Sequence, residues 1–117
     1  MHELSLCRSI EAIVVRAAGG RRVETVGLDV GQLRQVVPPT LEYCWGVVTE
    51  GGPLDGSALR INHIQGVVAC RACEAETRLT GRIPMMLCGA CGSGDVAAIA
   101  GEEFLVTTLE LVPESKD

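Results

Sequence analysis

The sequence predicts an α+β fold: a small three-stranded mixed sheet with two helices, plus a zinc-ribbon-like lobe inserted between two of the strands. Three observations carry this expectation. Two segments repeat their apolar residues at spacings of three and four, as helices with one buried face do. Three other segments alternate in a period of two, as half-buried strands do. The stretch 66–100 follows neither habit, is rich in glycine, and carries two pairs of cysteines. Residues 1–65 and 101–117 are therefore expected to form one α/β domain, with 66–100 inserted as the lobe.

In chain order, Leu6, Cys7, Ile10, Ile13, Val14 and Ala17 mark the first helix, from Glu3 to Ala18. Gly19-Gly20 ends it, because glycine accepts the left-handed conformation that helix C-caps use. From Val23 to Val30 the residues alternate, with Glu24, Val26, Leu28 and Val30 on one face of a strand. Pro38-Pro39 opens the second helix, where a missing N–H costs nothing, and Leu41, Cys44, Trp45 and Val48 form its buried stripe up to Gly51-Gly52-Pro53. Leu59 to His63 and Leu105 to Leu111 alternate again, and these strands flank the cysteine segment. Within that segment, Glu74 to Leu87 has room for a short hairpin that closes the cysteine site. The last residues, Glu114 to Asp117, are polar and are expected to fray.

The 117 residues are 47% hydrophobic, enough for a core, but only 3% aromatic, so that core must be aliphatic. The formal charge of −5 and the scattering of the arginines argue against nucleic acid as a partner, since such binders concentrate basic charge. No segment has the roughly 18 consecutive apolar residues of a membrane helix. The start, Met1-His2-Glu3-Leu4-Ser5, lacks the basic and apolar regions of a signal peptide, so the chain is expected to be cytoplasmic and its cysteines reduced.

Cys70-Arg71-Ala72-Cys73 and Cys88-Gly89-Ala90-Cys91 are two C-x-x-C units with fourteen residues between them. Two intervening residues let both sulfurs of a pair reach one ion, and zinc accepts four thiolates in a tetrahedron. Gly89, Gly92 and Gly94 suit the tight turns such a site needs. Arg71, Arg78 and Arg82 stand near enough in sequence to offset its negative charge. A rubredoxin-like iron site uses similar knuckles, and two disulfides are the reading for an oxidised protein. A closed four-cysteine site has no open position for chemistry, so it is structural.

His2 offers a second metal site. An amine, the amide nitrogen of residue 2 and an imidazole together close fused chelate rings of the kind that square-planar Ni(II) or Cu(II) prefers. Glu3 can add a carboxylate oxygen or orient the imidazole. His63, the other histidine, follows Leu59 and Ile61 on one strand face and is expected at the edge of the core. Cys7 and Cys44 lie on the buried helix stripes, where free cysteine behaves as a small hydrophobe, and Trp45 is expected in the core.

Met1-His2-Glu3 opening a helix, the chain length, and C-x-x-C…C-x-x-C in the second half together resemble the HypA/HybF hydrogenase maturation proteins. The resemblance covers the whole chain. It implies that His2 is a nickel ligand with Glu3 as its acidic neighbour, and that Cys70, Cys73, Cys88 and Cys91 hold structural zinc. It further implies that 1–65 with 101–117 is the nickel-binding domain. Family function would be delivery of Ni(II) to the [NiFe]-hydrogenase large-subunit precursor, together with a GTPase partner and with urease as a further client. The stretch Arg34-Gln35-Val36-Val37-Pro38 contains no acid that would add a ligand. Such a protein is expected to be no enzyme, and a monomer or weak homodimer. The alternative is a zinc-ribbon interaction or nucleic-acid-binding module, whose affinity would not depend on His2; an electron-transfer iron protein is a third reading.

Overall fold

The computed structural model describes residues 2–81 and 84–113, with the side chain of His2 left out. Met1, Arg82, Ile83 and the tail 114–117 lie outside the described residues. The chain runs α1 (His2–Ala18), β1 (Val23–Gly31), a 3-10 turn (Gln32–Arg34), α2 (Pro38–Thr49), β2 (Ala58–Ile64), β3 (Val67–Cys70), β4 (Glu76–Arg78), β5 (Val96–Ala100) and β6 (Phe104–Leu111). β1, β2 and β6 form one sheet in the order β2-β1-β6. The backbone N–H of Val112 donates to Arg22 O, and that of Gly31 to Glu103 O, so β6 runs antiparallel to β1. The sheet is mixed, so β2 must lie parallel to β1, joined to it through α2. This is the expected architecture of two helices, three strands and an inserted lobe.

The lobe has more structure than its texture suggests. β3, β4 and β5 make a second antiparallel sheet in the order β4-β3-β5. Among the described residues no hairpin forms inside Glu74 to Leu87; instead β4 pairs back with β3, Val68 facing Thr77, across the first cysteine turn. Strands of three to five residues are too short to print a period on the sequence.

The chain divides into two compact units. The first comprises the residues up to Leu28, Val36–Asn62, and those from Val106 onward. Its core is aliphatic around one tryptophan: Cys7, Ile10, Val14, Val26, Leu28, Leu41, Trp45 and Leu54 are all buried. The buried face of α1 is Cys7, Ile10, Val14 and Ala18, narrower than expected, and Ile13 is 55% exposed. Polar groups in this core are partnered: Trp45 Nε1 donates to Ser57 Oγ at 3.0 Å, and the buried Thr49 hydroxyl donates to Trp45 O at 2.7 Å. Gly19 and Gly20, at φ 57° and 88°, end α1 as expected. Gly27 faces β6, where a Cβ would strike the Thr108 hydroxyl. His63 is exposed rather than tucked at the core's edge, because β2 keeps only Leu59 buried.

The second unit comprises Asp29–Gln35 and His63–Leu105. Three glycines let its backbones meet: a Cβ on Gly31 would fall on the carbonyl of Gly101, and one on Gly101, at φ 105°, would fall 2.5 Å from Gly66 Cα. Gln32 spans the same place, its Oε1 accepting the Gly66 N–H at 2.7 Å and its Nε2 donating to Gly81 O. The chain ends of the cysteine sheet are thereby tied to the segment after β1.

Candidate metal centre

Both cysteine pairs sit in turns of the same design. Cys70 is the last residue of β3, and the N–H of Glu74 donates back to Cys70 O at 3.0 Å while Cys70 N–H donates to Ala75 O at 2.9 Å. In the second turn Gly92 N–H donates to Cys88 O at 2.9 Å, and Cys88 N–H to Ser93 O at 2.9 Å. Each turn needs a left-handed residue in the fourth place after its first cysteine: Gly92 at φ 76° in one, Glu74 at φ 67° in the other. Of the three glycines expected to turn tightly, only Gly92 has a positive φ. Gly89 instead gives up its side chain to Thr77, whose hydroxyl accepts the Gly89 N–H at 2.9 Å and whose Cγ2 would lie 3.2 Å from an added Cβ.

This backbone aims two N–H groups at the first sulfur of each pair. Cys70 Sγ accepts from Ala72 and Cys73 at 3.3 and 3.4 Å, and Cys88 Sγ accepts from Ala90 and Cys91 at 3.3 and 3.4 Å. The four sulfurs all lie within 4.8 Å of one another, with Cys70–Cys91 at 3.7 Å and Cys73–Cys88 at 3.6 Å. A tetrahedron with metal–sulfur bonds of about 2.3 Å has edges of about 3.8 Å. A disulfide would instead need its sulfurs at about 2.05 Å. The donor set fits zinc, and the cysteines are free.

Backbone N–H groups hold the thiols of Cys70 and Cys88 below their usual range, Cys88 at about 6 through the N–H groups of Cys91 and Ala90. Cys73, against the pull of the Ala75 N–H, is pushed up to about 12, chiefly by proton sharing with the Cys88 sulfur. Cys91 is raised as well: the Ser93 N–H pulls it down, and the Cys70 sulfur, burial and the Cys88 sulfur together outweigh that pull. A divalent ion bound by four thiolates would displace whatever thiol protons remain. Arg71 does not turn its charge to the sulfurs; its Nη1 pairs with Asp95 at 2.9 Å in the open. Of the other two arginines expected there, Arg78 is on exposed β4 and Arg82 is not among the described residues.

The second expected site begins at the first described residue. His2 opens α1, and its side chain lies outside the described residues. Glu3 is half-buried, and its Oε2 accepts the N–H of Val37, the N-cap residue of α2, at 3.4 Å. Because Pro38 and Pro39 follow and have no N–H, Val37 is one of the few donors left at that helix end, and the helix dipole favours a carboxylate there. The sequence carries no sign of this contact. Cys7 is fully buried, its Sγ 3.4 Å from Leu41 O, and burial, with Cys44 and Glu3 nearby, pushes its thiol up to about 11. It is a core residue.

Fold and cluster together define a class: a small α+β metal-binding protein built around a four-thiolate site that fits zinc. Comparison with known proteins gives the family. The sequence model described as "Hydrogenase/urease nickel incorporation, metallochaperone, hypA" matches residues 1–111. The hydrogenase maturation factor HypA of Geotalea uraniireducens is 40% identical over 111 residues, spanning 95% of this chain and 99% of that one. The HypA of Nostoc sp. is 36% identical, spanning 95% and 96%. The solution structure of the nickel metallochaperone HypA from Helicobacter pylori superposes with a TM-score of 0.66 at 19% identity, covering 96% of this chain and 98% of that one, and shows the same fold. The chain belongs to the HypA family of hydrogenase maturation factors.

Proposed function

We propose that this chain is a nickel metallochaperone that carries Ni(II) for maturation of [NiFe]-hydrogenase, and that it is not itself an enzyme. The observation that carries the reading is the family match from residue 1 to 111, which takes in Met1-His2-Glu3 and both cysteine pairs. We assign nickel to His2, with Glu3 beside it, and zinc to Cys70, Cys73, Cys88 and Cys91. In this reading 1–65 with 101–117 bears nickel and 66–100 is the zinc lobe. Zinc, when bound, supplies no reaction step: four sulfurs fill its coordination, and its part is to hold β3, β4 and β5 together. Glu3, engaged with Val37, acts by fixing the start of α1 against the start of α2, which sets where His2 stands.

The protein hands its ion to the hydrogenase large-subunit precursor with a GTPase partner, in the cytoplasm, and acts as a monomer or weak homodimer. Among the described residues no helix is long and apolar enough to cross a membrane. Isothermal titration of wild type and His2→Ala with NiCl2 tests the proposal. The variant is expected to lose nickel binding while keeping its zinc and its circular dichroism; equal nickel affinities remove the carrier reading. Urease, named in the family description, is a second client to assay alongside hydrogenase.

A further inference from the structure

The four cysteines are not equivalent. Cys70 and Cys88 are 4% and 3% exposed, and each sulfur takes two backbone N–H donors. Cys73 and Cys91 are exposed, and each has one backbone N–H against its sulfur, from Ala75 and from Ser93. With an ion bound all four are thiolates, so acidity no longer sorts them. What remains is access and hydrogen-bond load. N–H donors stabilise charge on sulfur and make it a poorer nucleophile, and a buried sulfur is closed to attack.

Resting on the zinc assignment above, we propose that Cys73 and Cys91 are the modification sites of the loaded lobe, attacked by small electrophiles and by peroxide, with Cys88 and Cys70 as their resolving sulfurs. In the peroxide reaction the Cys73 thiolate attacks one oxygen of H2O2. An S–O bond forms, the O–O bond breaks, hydroxide leaves, and the sulfur is oxidised to a sulfenic acid. Cys88 Sγ, 3.6 Å away, then attacks that sulfur, forming the S–S bond and expelling a second hydroxide. Two protons from solvent complete the balance: two thiolates and one peroxide become one disulfide and two waters. Cys91 and Cys70, 3.7 Å apart, are the matching pair. Either disulfide removes two of the four ligands, so the ion departs and the second sheet loses its clamp. The lobe is thereby a peroxide-sensitive element whose opening begins at its two outer sulfurs.

The test uses the full chain as purified, after metal analysis shows one equivalent of zinc. A brief pulse of substoichiometric iodoacetamide is quenched in denaturant containing a second label, and singly modified molecules are mapped by peptide mass spectrometry. Labelling at Cys73 and Cys91 is expected to be on the order of tenfold faster than at Cys70 and Cys88. A low dose of peroxide is expected to give the 73–88 or 70–91 cross-link in step with zinc release to a chromogenic chelator. Peptide mapping separates this from oxygen added to Met85 and Met86, which are exposed just before the second pair. Equal first-hit rates, faster labelling of Cys70 or Cys88, or zinc release without either cross-link overturns the proposal. A chain purified without zinc overturns the metal assignment itself, a separate result.

Discussion

Replacing Cys88 with alanine removes one sulfur from the cluster and shows how much of the lobe the ion holds. Among the described residues of 66–100 the buried apolar side chains other than cysteine are Val68 and Leu79, 0% and 4% exposed. At about 1.5–3 kcal/mol each they contribute about 3–6 kcal/mol together. A structural zinc site in a small domain contributes roughly 10–16 kcal/mol at neutral pH. The metal is therefore expected to stabilise the lobe more than these two side chains do, and the lobe to lose its fold without it. The expected outcome for Cys88→Ala is loss of zinc on metal analysis and collapse of amide-exchange protection across β3 and β5. Trp45 is the single tryptophan, buried in the first unit, so its fluorescence should remain that of wild type. A full equivalent of zinc in the variant would refute the ligand assignment. Protected β3 and β5 amides in zinc-free protein would refute the energetic ranking.

Three further outcomes follow from the same structure. Trp45→Ala empties the centre of the first unit and should cost about 3–5 kcal/mol in denaturant unfolding; a cost under about 1 kcal/mol would mean the residue is not a core element. Cys7, raised from 9.0 to about 11, favours its neutral form in the fold, so its stabilisation is complete below pH 9 and is lost as pH rises through about 11. Wild type should lose stability over that window and Cys7→Ala should show a flatter profile; parallel profiles would contradict the shift. Glu74→Gly removes a left-handed side-chain conformation worth roughly 1–2 kcal/mol and adds roughly 0.5–1 kcal/mol of chain entropy. The zinc-loaded lobe should melt at the same temperature or slightly higher, and a clear fall would show that the Glu74 side chain does more than occupy the turn.

What the sequence reveals depends on how far each signal extends along the chain. Both helices are legible because stripes such as Cys7, Ile10, Val14 and Leu41, Trp45 recur over several turns. The zinc-fitting cluster is legible because all four donors come in two local pairs, and a C-x-x-C turn brings its own sulfurs together. The second sheet is not, since β4 has three residues and β3 four, and their partners are set by register rather than by pattern. Gln32 bonding to Gly66, and Glu3 to Val37, each join positions 34 residues apart, and no periodicity reports such a contact. Glu74 is hidden because glycine is the usual sign of a left-handed turn, and only its likeness to Gly92 in the folded knuckle exposes it.

The two metal sites assigned to this chain differ in the way that keeps their ions apart. At the cysteine cluster both knuckles repeat the same backbone bonds, and the Cys70–Cys91 and Cys73–Cys88 separations of 3.7 and 3.6 Å match the edges of a zinc–thiolate tetrahedron. Zinc has no d-electron preference and takes that shape at no cost, whereas Ni(II) with strong donors favours a square plane. A tetrahedral cage thus favours zinc over nickel by shape, although thiolates bind both. The first helix turn has the opposite character. In the proposed assignment it offers an imidazole and backbone nitrogens, next to the Glu3–Val37 bond that anchors the turn. A chelate at the start of a helix would leave an ion open to displacement by an acceptor's ligands. In the proposed assignment, holding one metal and passing on the other would follow from placing one site between two turns of the same design and the other at the start of a helix.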